Sequence, residues 1–446
     1  MKIKPTSKQA KSAPKVSSRS HLGDTSCVPR LRFPHFETSW KTTPLSRLLR
    51  FQNGVNAPAE RYGRGVKFVS VSDIIQNDYV TYDNIVGSVD IDDATLERYS
   101  VENGDMVFQR SSETVEDIGR ANVYLDNRTA TFGGFVIRGK KIGEYNPYFF
   151  KCLLYSNEAR RKVIRVGAGA QHYNIGQEAL SQIYLHFPEM AEQRRIADLL
   201  LLVSNRIDAQ RKLVELLKKH KRGLVQELFK GELSKLPRRR FGGFKDAWIS
   251  RSFDEVFSFL KNNTLPRSEM TTAGGMIRNV HYGDVLIKYG DVLDCNRNQI
   301  PFLVGDKQSD DCRLLQDGDV VIADTAEDEA VGKAVELVGV ANKLIESGLH
   351  TIACRPKIPF ASRFLGYYLN STAYRRQLLP LMQGIKFISL SKSQLGKTQL
   401  HFPSNINEQK RIAELLAGID ALIVVAELHL DKMQSLKTGL LQQLFV

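Results

Sequence analysis

The sequence predicts two tandem copies of one unit, each a globular module followed by a long helix. Three observations carry this. Glu192-Gln193-Arg194-Arg195-Ile196-Ala197-Asp198-Leu199-Leu200 returns as Glu408-Gln409-Lys410-Arg411-Ile412-Ala413-Glu414-Leu415-Leu416, at an offset of 216 residues. Both segments close 37 residues later without a gap, on Leu228-Phe229 and Leu444-Phe445. Arg32-Phe33, Phe36 and Trp40 return as Arg240-Phe241, Phe244 and Trp248, and these are the chain's two tryptophans. Self-similarity at a fixed spacing outranks local propensity as evidence of organisation.

The middles of the two copies agree less. Leu185-His186-Phe187-Pro188 matches Leu400-His401-Phe402-Pro403, and Gly104-Asp105-Met106-Val107-Phe108 parallels Gly318-Asp319-Val320-Val321-Ile322. Ile118-Gly119-Arg120-Ala121 parallels Val331-Gly332-Lys333-Ala334. A shared framework with a divergent interior suits two copies doing one kind of task on different targets.

The long segments follow a heptad. Ile196, Leu200, Val203, Ile207, Gln210, Val214, Leu217, Lys221, Leu224 and Leu228 alternate steps of four and three. Ile412, Leu416, Ile419, Ile423, Ala426, Leu430, Met433, Lys437, Leu440 and Leu444 repeat the pattern. A period of 3.5 marks a coiled-coil seam, and a lysine within it lowers stability while fixing register and partner. Pro188 and Pro403 precede the helices, and glutamates in the first turn suit the positive end of the helix dipole. A helix of roughly 38 residues spans about 57 Å. Two such helices paired antiparallel would form a rod with one module at each end, related by an approximate two-fold axis. Such a rod suits two readers placed over DNA half-sites about one helical turn apart.

The chain has 446 residues and a net charge of +14, which makes a polyanion the default partner. No apolar run approaches the ~18 residues of a membrane span, and the basic N-terminus lacks a secretory signal's apolar stretch. Cys27, Cys152, Cys295, Cys312 and Cys354 show no CxxC spacing, so they read as reduced thiols of a cytoplasmic protein. Enzymatic motifs are missing from the sequence. There is no GxxxxGK[ST] phosphate loop and no HExxH. Asn146-Pro147-Tyr148-Phe149 lacks the second proline of an amino-methyltransferase loop and reads as a turn entering a helix. Glu408-Gln409-Lys410 opens a helix and reads as dipole compensation rather than part of a nuclease site. Glu327-Asp328-Glu329 reads as a solvated loop rather than a metal site.

The Pro188…Glu192-Gln193…Arg195-Ile196-Ala197 and Pro403…Glu408-Gln409…Arg411-Ile412-Ala413 patterns resemble the conserved regions of the specificity subunit of type I restriction–modification systems. So do the Leu-Phe endings and the Arg-Phe-x-x-Phe-x-x-x-Trp starts. The resemblance covers about residues 30–446. It implies an α/β (α+β) fold, with two mixed α/β target recognition domains held apart by two antiparallel conserved helices. The expected order is a flexible basic tail (1–30), recognition domain 1 (31–188), spacer helix 1 (189–230), a linker (231–239), recognition domain 2 (240–403) and spacer helix 2 (404–446). It further implies binding to an asymmetric, bipartite double-stranded DNA target, and assembly with two methylation subunits and with restriction subunits. S-adenosylmethionine, ATP and Mg2+ would be used on those other subunits, with no cofactor and no metal on this chain. The outer faces of 190–229 and 405–446 would receive the methylation subunits. The alternatives are a self-contained DNA methyltransferase or nuclease, and a coiled-coil assembly adaptor without DNA specificity.

Base readout needs Arg or Lys for guanine and Asn or Gln for adenine, with further cations for phosphate. Gln109 and Arg110 follow the apolar Met106-Val107-Phe108 strand, and Arg120 and Lys333 are matched basic positions beside a glycine. Gln171, Tyr173 and Asn174 follow Gly167-Ala168-Gly169, where the second copy has Lys386. Each is a candidate DNA contact. Lys218-Lys219-His220-Lys221-Arg222 and Arg238-Arg239-Arg240 are candidate phosphate contacts or solvated surface.

Overall fold

A computed structural model of the chain describes residues 28–167, 169, 172–229, 236–305, 312–384 and 387–445. The expected tail, up to residue 27, and residues 231–235 of the expected linker lie outside the described residues. The chain divides into two units. One holds the residues up to Ile207 together with those from Lys432 onward, and the other holds Asp208–Asp431.

The first unit is built on an antiparallel sheet with strand order Leu49–Asn53, Val136–Lys141, Met106–Gln109, Ala121–Val123. Met106–Gln109 is buried along its whole length, so it reads as an apolar run rather than an alternation. The pleat sends its residues to two cores. Met106 and Phe108 pack with Phe149, Phe150 and Leu153 of the helix Pro147–Leu154. Val107 packs with Val69 and Phe132 of a smaller sheet. Asn146 opens the helix, its side chain accepting from the Phe149 N–H, with Pro147 in the first turn.

The second unit repeats the plan with a five-stranded sheet, in the order Phe257–Leu260, Thr351–Pro356, Val320–Ala323, Ala334–Val338, Val292–Asp294. Val320 and Ile322 face one core, and Val321 and Ala323 the other. In both units the segment before the long helix pairs with the front of the module. Lys41–Pro44 lies antiparallel to Tyr184–Phe187, and Trp248–Ser252 to Gln399–Pro403. The front and back motifs therefore recur together because they form one ribbon.

The long helices are Met190–Leu228 and Ile406–Gln443. Every position of the sequence-derived seam is buried or half-buried, including Gln210, Lys221 and Lys437. Within the second unit the helices bond directly and antiparallel. The Gln210 amide donates to the Ala426 carbonyl at 2.9 Å, Lys218 meets Glu427 at 2.6 Å, and Lys221 meets Asp420 at 2.6 Å. Within the first unit, Ile196 and Leu200 share a core with Leu444 and Phe445.

The seam is not a free-standing coiled coil along its whole length. Ile196, Leu200 and Leu444 bury among Trp40, Phe149 and Phe187 of the first module. Leu224, Leu228 and Phe229 bury among Trp248, Phe364 and Tyr368 of the second. Each helix thus ends in the core of the other repeat's module, and the paired Leu-Phe endings are the residues that dock there.

Candidate nucleic-acid interface

The repeated motifs turn out to be structural supports. Arg32 donates from Nε and Nη2 to the two carboxylate oxygens of Glu192, both at 2.8 Å, and also to the Thr38 carbonyl. Arg240 holds Glu408 in the same fork, at 2.7 and 2.8 Å, and also donates to the Asp246 carbonyl. Both glutamates are fully buried. Both stand in the first turn of their helices, as the dipole reading expects, but that reading is incomplete: a buried carboxylate needs a counter-ion, and here it has a two-point one. The fork also removes Arg240 from the candidate phosphate contacts. The neighbouring glutamines tie the helix start to the module. Gln193 donates to the Pro188 carbonyl at 3.0 Å and accepts from the Asn146 N–H at 2.9 Å, and Gln409 does the same with Pro403 and Ala361.

The seam lysines are held equally firmly. In the first unit the Asp78 carboxylate accepts from Lys437 at 2.6 Å, from Lys151 at 2.8 Å and from the Tyr148 hydroxyl at 2.5 Å. In the second unit Lys221 reaches Asp291 and Asp420, both at 2.6 Å, and Tyr367 donates to Asp420 at 2.8 Å. Asp78 and Asp291 occupy corresponding places in the two modules, and sequence reasoning passed them over. Their shared position before Tyr79-Val80 and Val292-Leu293 was the available signal. Lys221 is thereby withdrawn from the candidate phosphate run.

The candidate DNA contacts separate into those engaged inside the modules and those on a surface. Gln109 is 5% exposed and its amide donates to the Ser111 carbonyl at 2.9 Å, so its edge is turned away from any duplex. Lys333 is half-buried and donates to the Leu286 and Tyr289 carbonyls at 3.0 and 2.7 Å. Burial pushes its ammonium below the usual lysine range. The role that fits is capping the carbonyl end of the helix Tyr282–Ile287. Lys333→Met should therefore cost the second unit about 1–2 kcal/mol and leave any sequence preference unchanged; thermal melting and a binding-site selection check both halves. Arg120, in the matching place, is half-exposed and pairs with Asp117 at 2.7 Å. Gln171 and Lys386 lie outside the described residues.

Arg110, Tyr173 and Asn174 do come together. Ser111–Ser112 pairs antiparallel with Tyr173–Asn174, and the Ser111 hydroxyl donates to Asn174 Oδ1 at 2.6 Å. The corresponding ribbon of the second unit joins Thr325–Ala326 to Ile388–Ser389. Each ribbon springs from the end of the module's central strand, with Asn174 and Ser389 exposed, while Tyr173 and Ile388 pack on the cores behind them.

Two units on one plan, each with its own polar ribbon, define a class of protein with duplicated binding modules joined to long helices. Along its length this chain is similar to specificity subunits of type I restriction enzymes. A putative type I specificity subunit, MjaX, of Methanocaldococcus jannaschii is 22% identical over 417 residues, covering 91% of this chain and 92% of that protein. The MjaVIII specificity subunit of the same organism is 24% identical over 308 residues, covering 66% of this chain and 68% of its own. The crystal structure of the type I S subunit from M. genitalium superposes with a TM-score of 0.54 at 13% identity, over 94% of this chain and 99% of that one. A chain from a type I system studied for complex assembly and conformational transition gives 0.54 at 17% identity, over 91% and 97%. No family model matches. The chain is thus similar in sequence to curated type I specificity subunits and similar in fold to solved ones. Among the described residues, no helix is long and apolar enough to cross a membrane.

Proposed function

We propose that this chain is the DNA-recognition subunit of a type I restriction–modification complex. It reads an asymmetric target in two blocks, one block per module, and catalyses nothing itself. The observation that carries the reading is the pairing of whole-length likeness to specificity subunits with two modules that share a support and differ in their outward residues. Methylation and restriction are assigned to partner subunits, which use S-adenosylmethionine, ATP and Mg2+ in the cytoplasm. The helices offer those partners an apolar face. Leu216, Leu422, Val425 and Leu428 are each at least half exposed, an arrangement a solvated helix has no reason to keep. The +14 charge adds a salt-dependent attraction to the duplex.

Exchanging residues 31–188 for the corresponding module of another such subunit tests the reading. Long-read sequencing of methylated adenines should show one half of the target replaced and the other half kept. Both halves altered, or neither, is the result that defeats it. Purified chain given S-adenosylmethionine and DNA without partners should transfer no methyl group; transfer would favour a self-contained methyltransferase.

A further inference from the structure

The two ribbons sit on one backbone platform, bond for bond. In the first unit the Arg110 N–H donates to the Phe135 carbonyl at 2.9 Å, and the Ile175 N–H donates to the Arg110 carbonyl at 3.0 Å. In the second unit the Asp324 N–H donates to the His350 carbonyl at 3.1 Å, and the Leu390 N–H to the Asp324 carbonyl at 2.8 Å. The buried support is kept as well. Arg160 donates to the carbonyls of Glu116 and Ile118, and Arg375 to those of Glu329 and Val331. Gly119 and Gly332 both hold positive φ, at 62° and 80°. What changes between the copies is the side chain at each matched position: Arg110 against Asp324, Ser111 against Thr325, Asn174 against Ser389, and Phe135 against His350.

Phe135 is the most telling of these. It is 70% exposed, on a turn held by backbone bonds. The turn Gly133–Val136 is closed by the Val136 N–H donating to the Gly133 carbonyl at 2.8 Å. It is clamped behind, because a Cβ on Gly134 would lie 1.9 Å from Asn56 Oδ1 and one on Gly54 would lie 2.2 Å from the Gly133 carbonyl oxygen. The Arg110 guanidinium donates to the Gly134 carbonyl at 3.2 Å. The ring therefore stands on a fixed base that Arg110 holds through both its backbone and its guanidinium, and Asn174 lies on the ribbon that continues from Arg110. In the second unit His350 holds φ 54°, a left-handed conformation uncommon outside glycine. Its ring is flanked by the Asp324 carboxylate at 3.4 Å and the Thr325 hydroxyl at 3.3 Å.

Resting on the DNA-recognition reading above, we infer that these two turn tips are base-contacting determinants of sequence specificity. Phe135 acts with Arg110 and Asn174 in one half of the target, and His350 acts with Asp324 in the other. The chemistry matches the groups that base edges offer. A rigid aromatic ring contacts a thymine methyl or wedges against a base step, an arginine takes guanine and an asparagine takes adenine. A carboxylate beside a histidine accepts from a cytosine amino group, a contact that carries information because it repels phosphate. Identical support beneath different outward groups is what a reader of two unlike half-sites requires.

The test uses the full subunit assembled with its methylation partners and a DNA library randomised across the target. Phe135→Ala should lower discrimination by roughly tenfold to a hundredfold at one or two positions of one half-site. His350→Ala should do so in the other half only. Melting temperature should not move for Phe135→Ala, since the ring packs on little, and Phe135→Leu serves as a second variant if assembly suffers. A target profile identical to the wild type's, or a loss spread evenly over both halves, overturns the inference. If the wild-type complex itself shows no sequence preference, the recognition reading fails instead, and the two failures are told apart by that control.

Discussion

Replacing Asp78 with asparagine should destabilise the first unit by about 3–5 kcal/mol, the usual cost of stranding a buried charge. Asp78 is one carboxylate facing two ammonium groups. Lys151 and Lys437 lie 2.8 and 2.6 Å away, with side chains 7% and 19% exposed. An amide cannot neutralise them, and the Tyr148 hydroxyl at 2.5 Å would lose its charged acceptor. For a unit of this size the melting temperature should fall by roughly 10 °C. Asp291→Asn in the second unit should cost clearly less, because Lys221 retains Asp420. The composition is inverted between the copies, two lysines on one aspartate against one lysine on two, so the asymmetry is a sharp check. Equal losses in the two units would show that the ion clusters do not set the stability of these joints. The pH dependence has a definite sign. Burial pushes the Asp78 carboxyl up, but Lys151 and Lys437 outweigh it and hold it well below the usual carboxylate range. The unfolded chain therefore takes up this proton first as pH falls. The stabilisation is complete above the unfolded value near 4 and is lost as pH drops through the folded value. The difference between wild type and Asp78→Asn should be flat from pH 5 to 8 and shrink only in acid.

The seam and the repeat were legible because both are local regularities. A 3.5-residue period needs no knowledge of what lies across from it, and it marked Lys221 and Lys437 as the polar lapse that the two segments share. Their partners were not legible. Asp78 is 359 residues from Lys437, and nothing in the heptad says that each helix ends on the other repeat's module, because the two heptads are alike. The same limit applied to Glu192 and Glu408. A glutamate in a first helical turn is stabilising in any helix, so the local explanation was sufficient. Only the ribbon of Lys41–Pro44 with Tyr184–Phe187, which sequence does not announce, brings Arg32 to it. Of the DNA candidates, Arg110 and Asn174 were reached from residue chemistry and found on one surface. Lys333 was reached by the same reasoning and found capping a helix, since a lysine beside a glycine reads alike in either role. Phe135 was missed because a phenylalanine that opens the apolar run Phe135-Val136-Ile137 reads as core.

Removing the arginine of either fork is the second large effect, and its size should differ between the copies for a visible reason. Arg32→Met leaves the Glu192 carboxylate, 0% exposed, without its cation. Arg240→Met leaves Glu408, but the Trp248 indole N–H still donates to it at 3.4 Å. Among the described residues the Trp40 indole N–H has no acceptor, so it gives Glu192 no such relief. Arg32→Met should therefore cost about 3–5 kcal/mol, and Arg240→Met somewhat less. The two tryptophans make the measurement direct, because one lies in each unit. Trp248→Phe leaves Trp40 to report the first unit, and Trp40→Phe leaves Trp248 to report the second, so denaturant midpoints can be read unit by unit. Pairing Arg32→Met with Glu192→Met should recover most of the loss, since an apolar pair of similar volume needs no counter-ion. If the double variant is stable yet the ribbon Lys41–Phe187 loosens in hydrogen exchange, the fork's role is to fix where the helix leaves the module, not to hold the module together. If the single variant melts like the wild type, water has reached Glu192 and the fork is an ornament of the fold. The first outcome is the one the geometry favours, because the same arginine that neutralises the helix's glutamate also donates at 2.6 Å to the Thr38 carbonyl at the module's front, joining front, ribbon and helix through one side chain.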